Sequence, residues 1–172
     1  MKNIEIKAIC TNPNRIEELL LEHKAKFIGQ DHQIDTYFNV PNGRLKLREG
    51  NIENALIGYQ RADQSAAKQS NFSLYHSEDP VKLKQILTDS LGIKIVVDKQ
   101  RKIFFIEHIK FHIDVVEQLG DFVEIEVTDP EDKFDPTEMD VTCRYYINLL
   151  GIKPSDLLSK SYSDMLIEHQ NV

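Results

Sequence analysis

Charged and apolar residues alternate along most of this chain, and this alternation restricts its fold more than any other feature. In GRLKLREG, residues 43–50, Leu45 and Leu47 fall on one side of an extended strand and the basic residues on the other. The turn signals at 41–43 and 118–120 are so short that they require antiparallel neighbours. The strand segments predicted in this way are residues 2–10, 26–40, 43–50, 55–62, 71–77, 94–101, 103–108, 110–117 and 121–128.

Three helices are predicted by one shared start signal, a capping residue followed by proline at the first helical position. These signals are Asn12-Pro13, Asp79-Pro80 and Asp135-Pro136. A last short helix is predicted around Tyr162. The pattern therefore predicts a single α+β domain over residues 1–172, with a strand-rich body at 1–128, an acidic linker at 129–136 and C-terminal helices at 137–168.

Bulk properties exclude several classes of function. The net charge of −7 argues against a nucleic-acid partner, because such proteins normally carry an excess of Lys and Arg. No apolar run approaches the ~18 residues of a membrane span, and the charged N-terminus does not fit a signal peptide. The expected location is therefore the cytoplasm, with no membrane partner.

The charges on the predicted strands are sorted by sign. One strand carries only basic residues on its polar face (Arg44, Lys46, Arg48), whereas Glu124 and Glu126 share a face of another. A sheet with one face in water is the ordinary explanation of a single charged face. Like charges in a row are nevertheless unfavourable without a partner, so the sorting favours strands that curl around a cavity. A basic wall suits phosphate oxygens and an acidic wall suits a hard divalent cation.

With this sorting of charges, the chain resembles the CYTH superfamily, the triphosphate tunnel metalloenzymes, and within it the class IV adenylyl cyclase branch. The resemblance runs from Ile4 to Leu166, with FHIDVVEQLGDFVEIE and SYSDML similar to that branch in particular. The motifs that carry it are Asn3-x-Glu5-x-Lys7, Arg44-x-Lys46-x-Arg48, Tyr59-x-Arg61, Lys99-x-Arg101, Asp114 before a turn, and Glu124-x-Glu126.

The resemblance implies a closed antiparallel β-barrel of about eight strands that forms a tunnel, with peripheral helices and bound Mg²⁺ or Mn²⁺. Carried over residue by residue, it implies triphosphate binding by Arg44, Lys46, Arg48, Arg61, Lys99 and Arg101. It implies metal binding by Glu5, Asp114, Glu124 and Glu126. The residues implied to be catalytic are Lys7, Glu5 and Lys99.

The activity that the resemblance implies first is conversion of ATP to cyclic AMP and pyrophosphate. A hydrolase acting on inorganic tripolyphosphate or thiamine triphosphate is the alternative enzyme. In every case the partner is a small-molecule triphosphate, and the family also suggests a homodimer.

One residue departs from the family pattern. Asn3 stands where the first motif glutamate is expected, and an asparagine offers an oxygen but no charge. A non-catalytic polyphosphate or nucleotide binder is therefore a third hypothesis. Two other polar residues stay outside the predicted site, because the pattern does not fix the direction of Asp35 and predicts a surface or hydrogen-bonding role for His112.

Overall fold

The computed structural model describes residues 2–60, 68–129, 131 and 133–172. Within these residues the chain forms eight strands and four α-helices, with one 3₁₀ turn, Pro154–Asp156, before the last helix. In chain order the elements are β1 (Lys2–Ile9), α1 (Pro13–Glu22), β2 (Lys26–Phe38), β3 (Arg44–Glu49), β4 (Ala55–Gln60), β5 (Lys68–Tyr75), α2 (Pro80–Leu91), β6 (Ile93–Ile106), β7 (Ile109–Val116), β8 (Gly120–Asp129), α3 (Pro136–Leu149) and α4 (Tyr162–Gln170).

The strands form one curled antiparallel sheet. They pair in the order β1–β5–β4–β3–β2–β6–β7–β8, and β1 also pairs with β8 along its whole length. The pairing of β1 with β5 covers residues 2–5 of β1. The predicted combination of an eight-stranded antiparallel sheet with helices is confirmed.

The three predicted helix starts are confirmed. The side chain of Asn12 accepts a hydrogen bond from the backbone N–H of Arg15, and Asp79 caps α2 in the same way. Asp135 and Glu138 form a reciprocal capping box at the start of α3. These caps satisfy backbone donors that the first turn of a helix leaves without a partner.

The hydrophobic core lies outside the curl of the sheet, beneath α1 and α3. Ile4 and Ile6 of β1 are buried in it, whereas Glu5 and Lys7, which alternate with them, line the interior of the sheet. Leu20 of α1 and Cys143 of α3 complete the same cluster and are fully buried. The period-2 alternation therefore gives β1, β7 and β8 an apolar outer face in this core and a polar inner face.

A second, smaller core fixes α4 at one end of the sheet. Tyr162 and Leu166 pack against Tyr37 of β2 and Phe122 of β8. At this end β1, β2 and β7 finish while β3, β6 and β8 begin. The C-terminal helix thus brings its first turn close to the interior of the sheet.

The strand predictions 94–101 and 103–108 need one correction. The structure has a single continuous strand there, β6, which pairs with β2 from Lys26 opposite Phe105 to Phe38 opposite Ile93. No glycine or proline interrupts residues 98–104, so nothing in the backbone favours a turn. Among the described residues, no helix has both the length and the apolar character needed to cross a bilayer.

Candidate active site

The inner faces of the strands enclose a cavity of about 720 Å³. Its size lies within the roughly 300–1,000 Å³ range of pockets that bind small molecules. Eight of the residues predicted for the site line it together, and they are Glu5, Lys7, Lys46, Arg48, Lys99, Arg101, Glu124 and Glu126.

A single buried carboxylate lies opposite the basic row of β3. Asp35 of β2 accepts a hydrogen bond from Lys46 Nζ at 2.9 Å and two from Arg48, each at 2.8 Å. Lys99 of β6 donates to the same carboxylate at 2.9 Å. Asp35 is only 1% exposed, so three cations are held around one anion away from solvent. The local excess of positive charge is available to an anionic ligand.

Burial acts on the pKa values of this cluster in different directions. Burial raises the pKa of the Asp35 carboxyl, but Arg48, Lys46 and Lys99 outweigh it and hold that pKa well below its usual range. Burial lowers the pKa of Lys99 to about 7, because the neighbouring Arg48 and Arg101 add to it and Asp35 only partly opposes them. Lys99 therefore changes its charge near neutral pH.

A second charge network joins β6, β7 and β8. Arg101 donates from Nε to Asp114 Oδ1 at 2.7 Å, from Nη2 to Asp114 Oδ2 at 2.5 Å, and from Nη2 to Glu124 at 2.7 Å. Lys7 of β1 forms an ion pair with the other oxygen of Glu124 at 3.0 Å. Glu124 is thus held between two cations. Burial raises its pKa, but the charges of Arg101 and Lys7 keep it well below the usual range.

Helix α4 connects to this network through Tyr162. Its hydroxyl donates to Asp114 at 2.7 Å, and Lys7 Nζ lies 3.8 Å from the centre of its ring. Tyr162 also lines the cavity. The position of Arg101 therefore depends on Asp114 and, through it, on the first turn of α4.

Two carboxylates face each other where β1 meets β8. Glu5 is directly opposite Glu126 in the strand register, and Asn3 donates from Nδ2 to Glu126 at 2.8 Å. Burial, with the charge of Glu5 added, raises the pKa of Glu126. A divalent cation would relieve this repulsion.

These residues fit a hard divalent cation that also binds a ligand. In the part of the chain that the structure describes, no three or more His, Cys, Asp or Glu side chains are arranged to hold an ion by themselves. Mg²⁺ is commonly held by only one or two carboxylates together with phosphate oxygens and water. The pair Glu5–Glu126 would supply the protein part of such a set.

The opposite end of the cavity, away from α4, carries another ion pair. Glu53, in the loop between β3 and β4, binds Lys110 of β7 and also Arg48, the latter at 3.2 Å. Three backbone N–H groups of that loop donate to the buried Asp31 and fix its course. The position of Glu53 at the cavity is thereby set.

His112 lies inside the site rather than at the surface. It is 2% exposed, lines the cavity, and its Nδ1 is 3.1 Å from Glu124. Burial and the charge of Arg101 lower its pKa to about 4, so the ring is neutral at pH 7. Of the two predicted roles, surface or hydrogen-bonding, the structure shows the second, with Nδ1 as the donor because the ionised Glu124 can only accept.

Two of the predicted site residues lie elsewhere and one cannot be placed. Arg44 does not line the main cavity, since its guanidinium binds Ser161 at 2.7 Å and Asp164 at 2.9 Å on α4. Asp114 lies behind Arg101 with no exposed surface. Arg61 falls outside the described residues. Metal binding by Asp114 and phosphate binding by Arg44 and Arg61 stay predictions.

The structure adds residues that pattern analysis did not assign to the site. Asp35, Glu53, Lys110 and Tyr162 all line the cavity. Lys110 alternates with the apolar Ile109 and Phe111, so period 2 was a usable signal for it, whereas the pattern left the direction of Asp35 open. No local pattern marks Glu53 or Tyr162, because a loop and a helix bring them to the cavity from distant parts of the chain.

Comparison with known proteins identifies relatives along nearly the whole chain. A sequence profile described as "CYTH domain" matches residues 1–158. A Methanocaldococcus jannaschii protein provisionally named an adenylate cyclase is 28% identical over 96% of this chain and 98% of its own length.

Solved structures also resemble this chain along nearly its whole length. The PH1012 protein of Pyrococcus horikoshii OT3 superposes with a TM-score of 0.81 at 25% identity, over 94% of this chain and 98% of that one. A Hippeastrum protein described as a provisional adenylyl cyclase with a dominant triphosphatase activity shares the fold, with a TM-score of 0.63 at 11% identity over 98% and 96% of the two chains. Since the profile covers most of the sequence, the resemblance inferred from the motifs is confirmed, and this chain belongs to the CYTH domain family.

Proposed function

We propose that this protein is a metal-dependent enzyme acting on a triphosphate inside its charged cavity, and that its reaction is the conversion of ATP to cyclic AMP and pyrophosphate. The observation that carries the proposal is that a cationic wall and a carboxylate pair face the same cavity. The M. jannaschii relative, provisionally named an adenylate cyclase, supports the choice of reaction.

The proposal treats the curled sheet as a closed tunnel within a single domain. Its support is the pairing of β1 with β8 on one side and with β5 on the other. The inward direction of the charges along the strands is the second support, because a ligand surrounded by them is shielded from water.

In this proposal the basic residues bind phosphate oxygens. Lys46, Arg48 and Lys99 would contact the ligand from the Asp35 cluster, and Arg101 from the second network. Because all four are already oriented by carboxylates, little side-chain entropy is lost on binding.

Glu5 and Glu126 are the residues that would hold Mg²⁺ or Mn²⁺. When bound, such a cation would neutralise phosphate charge and lower the pKa of the attacking hydroxyl. Lys7, beside Glu124 at the same wall, would lie along the phosphate chain.

The reaction itself is an internal displacement at phosphorus. The ribose 3′-oxygen bonds to the α-phosphorus, the bond from that phosphorus to the bridging oxygen breaks, and pyrophosphate leaves while the hydroxyl proton passes to water. Lys99 and the neighbouring cations stabilise the negative charge that develops on the leaving pyrophosphate.

Asn3 favours a second candidate, a polyphosphate or nucleotide binder without turnover. Its amide donates a hydrogen bond to Glu126, a position in which the family pattern has an acid that could add charge to the metal site. The proposed metal site of this chain then carries one negative charge fewer than the site of the family pattern.

The deciding experiment is incubation with ATP, and separately with tripolyphosphate or thiamine triphosphate, in Mg²⁺ or Mn²⁺. Cyclic AMP and pyrophosphate from ATP are expected. Release of phosphate without cyclic AMP would instead favour the hydrolase. Binding without any product, together with activity created by Asn3→Glu, would favour the binder.

A further inference from the structure

Five side chains at the cavity form a closed network of contacts that includes one residue of α4. The hydroxyl of Tyr162 donates to Asp114 at 2.7 Å, and Asp114 accepts two hydrogen bonds from Arg101. Arg101 also donates to Glu124, and Lys7 pairs with the other oxygen of Glu124. Lys7 Nζ in turn lies 3.8 Å from the centre of the Tyr162 ring, so the network returns to its starting residue.

Four members of this network belong to the sheet and one belongs to a helix. Strands β1, β6, β7 and β8 each supply one charged residue, whereas Tyr162 is the first residue of α4. The reciprocal capping box of Ser161 and Asp164 fixes the backbone of α4 at that point. Arg44 of β3 binds both of these residues. Tyr162 therefore reaches the network from a support outside the four strands that carry the charges.

Tyr162 restrains both cations of the network. The χ2 torsion of an aspartate is broad, so contact with Arg101 alone fixes the direction of the Asp114 carboxylate only loosely. The hydroxyl of Tyr162 is a second donor to Oδ2 and restricts that direction, and the guanidinium of Arg101 follows the carboxylate. On the other side, the aromatic face of Tyr162 attracts the ammonium of Lys7, which is only 7% exposed. Without Tyr162, the two cations would share only Glu124.

We propose that Tyr162 is a positioning residue for turnover, which holds Arg101 through Asp114 and holds Lys7 through its aromatic face. This inference rests on the proposed function, since it assumes that Arg101 and Lys7 contact the phosphates. It adds a residue of the C-terminal helix to a site whose other cations and acids come from strands. Charge that develops in a transition state is stabilised best by groups that are already oriented. Loss of Tyr162 should therefore lower turnover more than binding.

The test is Tyr162→Phe, which removes the hydroxyl and keeps the aromatic face and its packing. The turnover number kcat, measured for the triphosphate that the wild-type protein converts, should fall by about tenfold. The affinity for the α,β-methylene analogue of ATP, measured by calorimetry, should change by no more than about threefold, because Arg101 and Lys7 keep their charges. Tyr162→Leu also removes the aromatic face from Lys7 and should lower kcat by about a further fivefold.

The control for a merely structural effect is Ile167→Ala. Ile167 is a partly buried residue of α4 that packs against the same small core as Tyr162, and it does not line the cavity. This variant should lower the melting temperature by about as much as Tyr162→Phe does and leave kcat unchanged. Equal losses of kcat in the two variants would mean that α4 acts only through stability, and would overturn the inference.

A double-mutant cycle on kcat tests the path through the network. The loss from Tyr162→Phe should be less than additive with the loss from Arg101→Lys, and additive with the loss from Lys46→Ala, which belongs to the Asp35 cluster. Additive losses in both cycles, or a Tyr162→Phe variant with the kcat of the wild-type protein, would overturn the inference while the proposed function stands. If the wild-type protein converted no triphosphate, the proposed function would fail and this inference with it.

Discussion

Glu5 of β1 and Glu126 of β8 occupy directly opposite positions in the sheet, two acids where a neutral or oppositely charged pair would be more stable. Burial and the charge of Glu5 raise the pKa of Glu126. The folded chain therefore holds the proton of Glu126 to a higher pH than the unfolded chain does. As the pH rises through this raised pKa, the free energy of unfolding falls.

The first prediction concerns metal binding by this pair. With a triphosphate analogue present, Mn²⁺ should raise the melting temperature of the wild-type protein, because the ion relieves the repulsion between Glu5 and Glu126. Glu5→Gln and Glu126→Gln should lose this rise, and the exposed Glu117→Gln should keep it. The rise should also weaken as the pH falls through the pKa of Glu126, and a rise that survives both Gln variants would contradict the assignment.

The second prediction concerns pH and Lys99, whose pKa is lowered to about 7. Affinity for the triphosphate analogue should fall by roughly tenfold as the pH is raised from about 6 to about 8, because Lys99 loses its charge. His112, with its pKa lowered to about 4, does not titrate in this window. Lys99→Gln should bind weakly at every pH and show a flat profile, whereas an unchanged slope would assign the titration to another group.

In the unliganded protein, Lys99 should act on stability in the opposite direction. Between about pH 7 and about pH 10 the unfolded chain holds a proton on this lysine that the folded chain has lost, so the free energy of unfolding rises with pH. Denaturant unfolding of the wild-type protein and Lys99→Gln at several pH values measures this slope.

The third prediction concerns Asp35, which neutralises Lys46, Arg48 and Lys99. Asp35→Asn should lower the free energy of unfolding by about 3–5 kcal/mol, because it leaves buried cations without their anion. Tripolyphosphate should restore more stability to this variant than it adds to the wild-type protein. The control is Asp98→Asn, at a half-exposed pair with His32, and a variant that tripolyphosphate does not rescue would show that the cations cannot reach a ligand.

The fourth prediction concerns Arg44 and the attachment of α4. Arg44→Ala should lower stability by about 1 kcal/mol through loss of its half-buried contacts with Ser161 and Asp164. Asp164→Ala removes the same contact, so the two losses should be less than additive in the double variant. Triphosphate affinity should change far less for Arg44→Ala than for Lys46→Ala, and equal losses would make Arg44 a direct phosphate ligand.

Much of this site could be predicted because strand alternation is a local property. The basic row of β3 and the acids of β8 follow from period 2, and the structure brings Lys46, Arg48, Glu124 and Glu126 to one cavity. The helix starts were predictable for the same reason, since capping residues and proline act within one turn.

The rest depends on contacts between distant parts of the chain. Arg44 belongs to the same row as Lys46, yet it binds Ser161 and Asp164, which lie more than a hundred residues away. The inward direction of Asp35 was not readable, because β2 is long and its register against β6 shifts next to Phe27 and again next to Phe38. A shift of one residue reverses the face on which a side chain lies.

The position of Asp35 has a consequence for which anions the protein can distinguish. The three cations around it already bind the carboxylate of Asp35, so an incoming anion must compete with this covalently attached group for them. A monovalent ion such as chloride offers each cation no more than Asp35 does. An anion of higher valence offers Lys46, Arg48 and Lys99 more negative charge than Asp35 does, so we expect the cavity to favour such an anion over chloride.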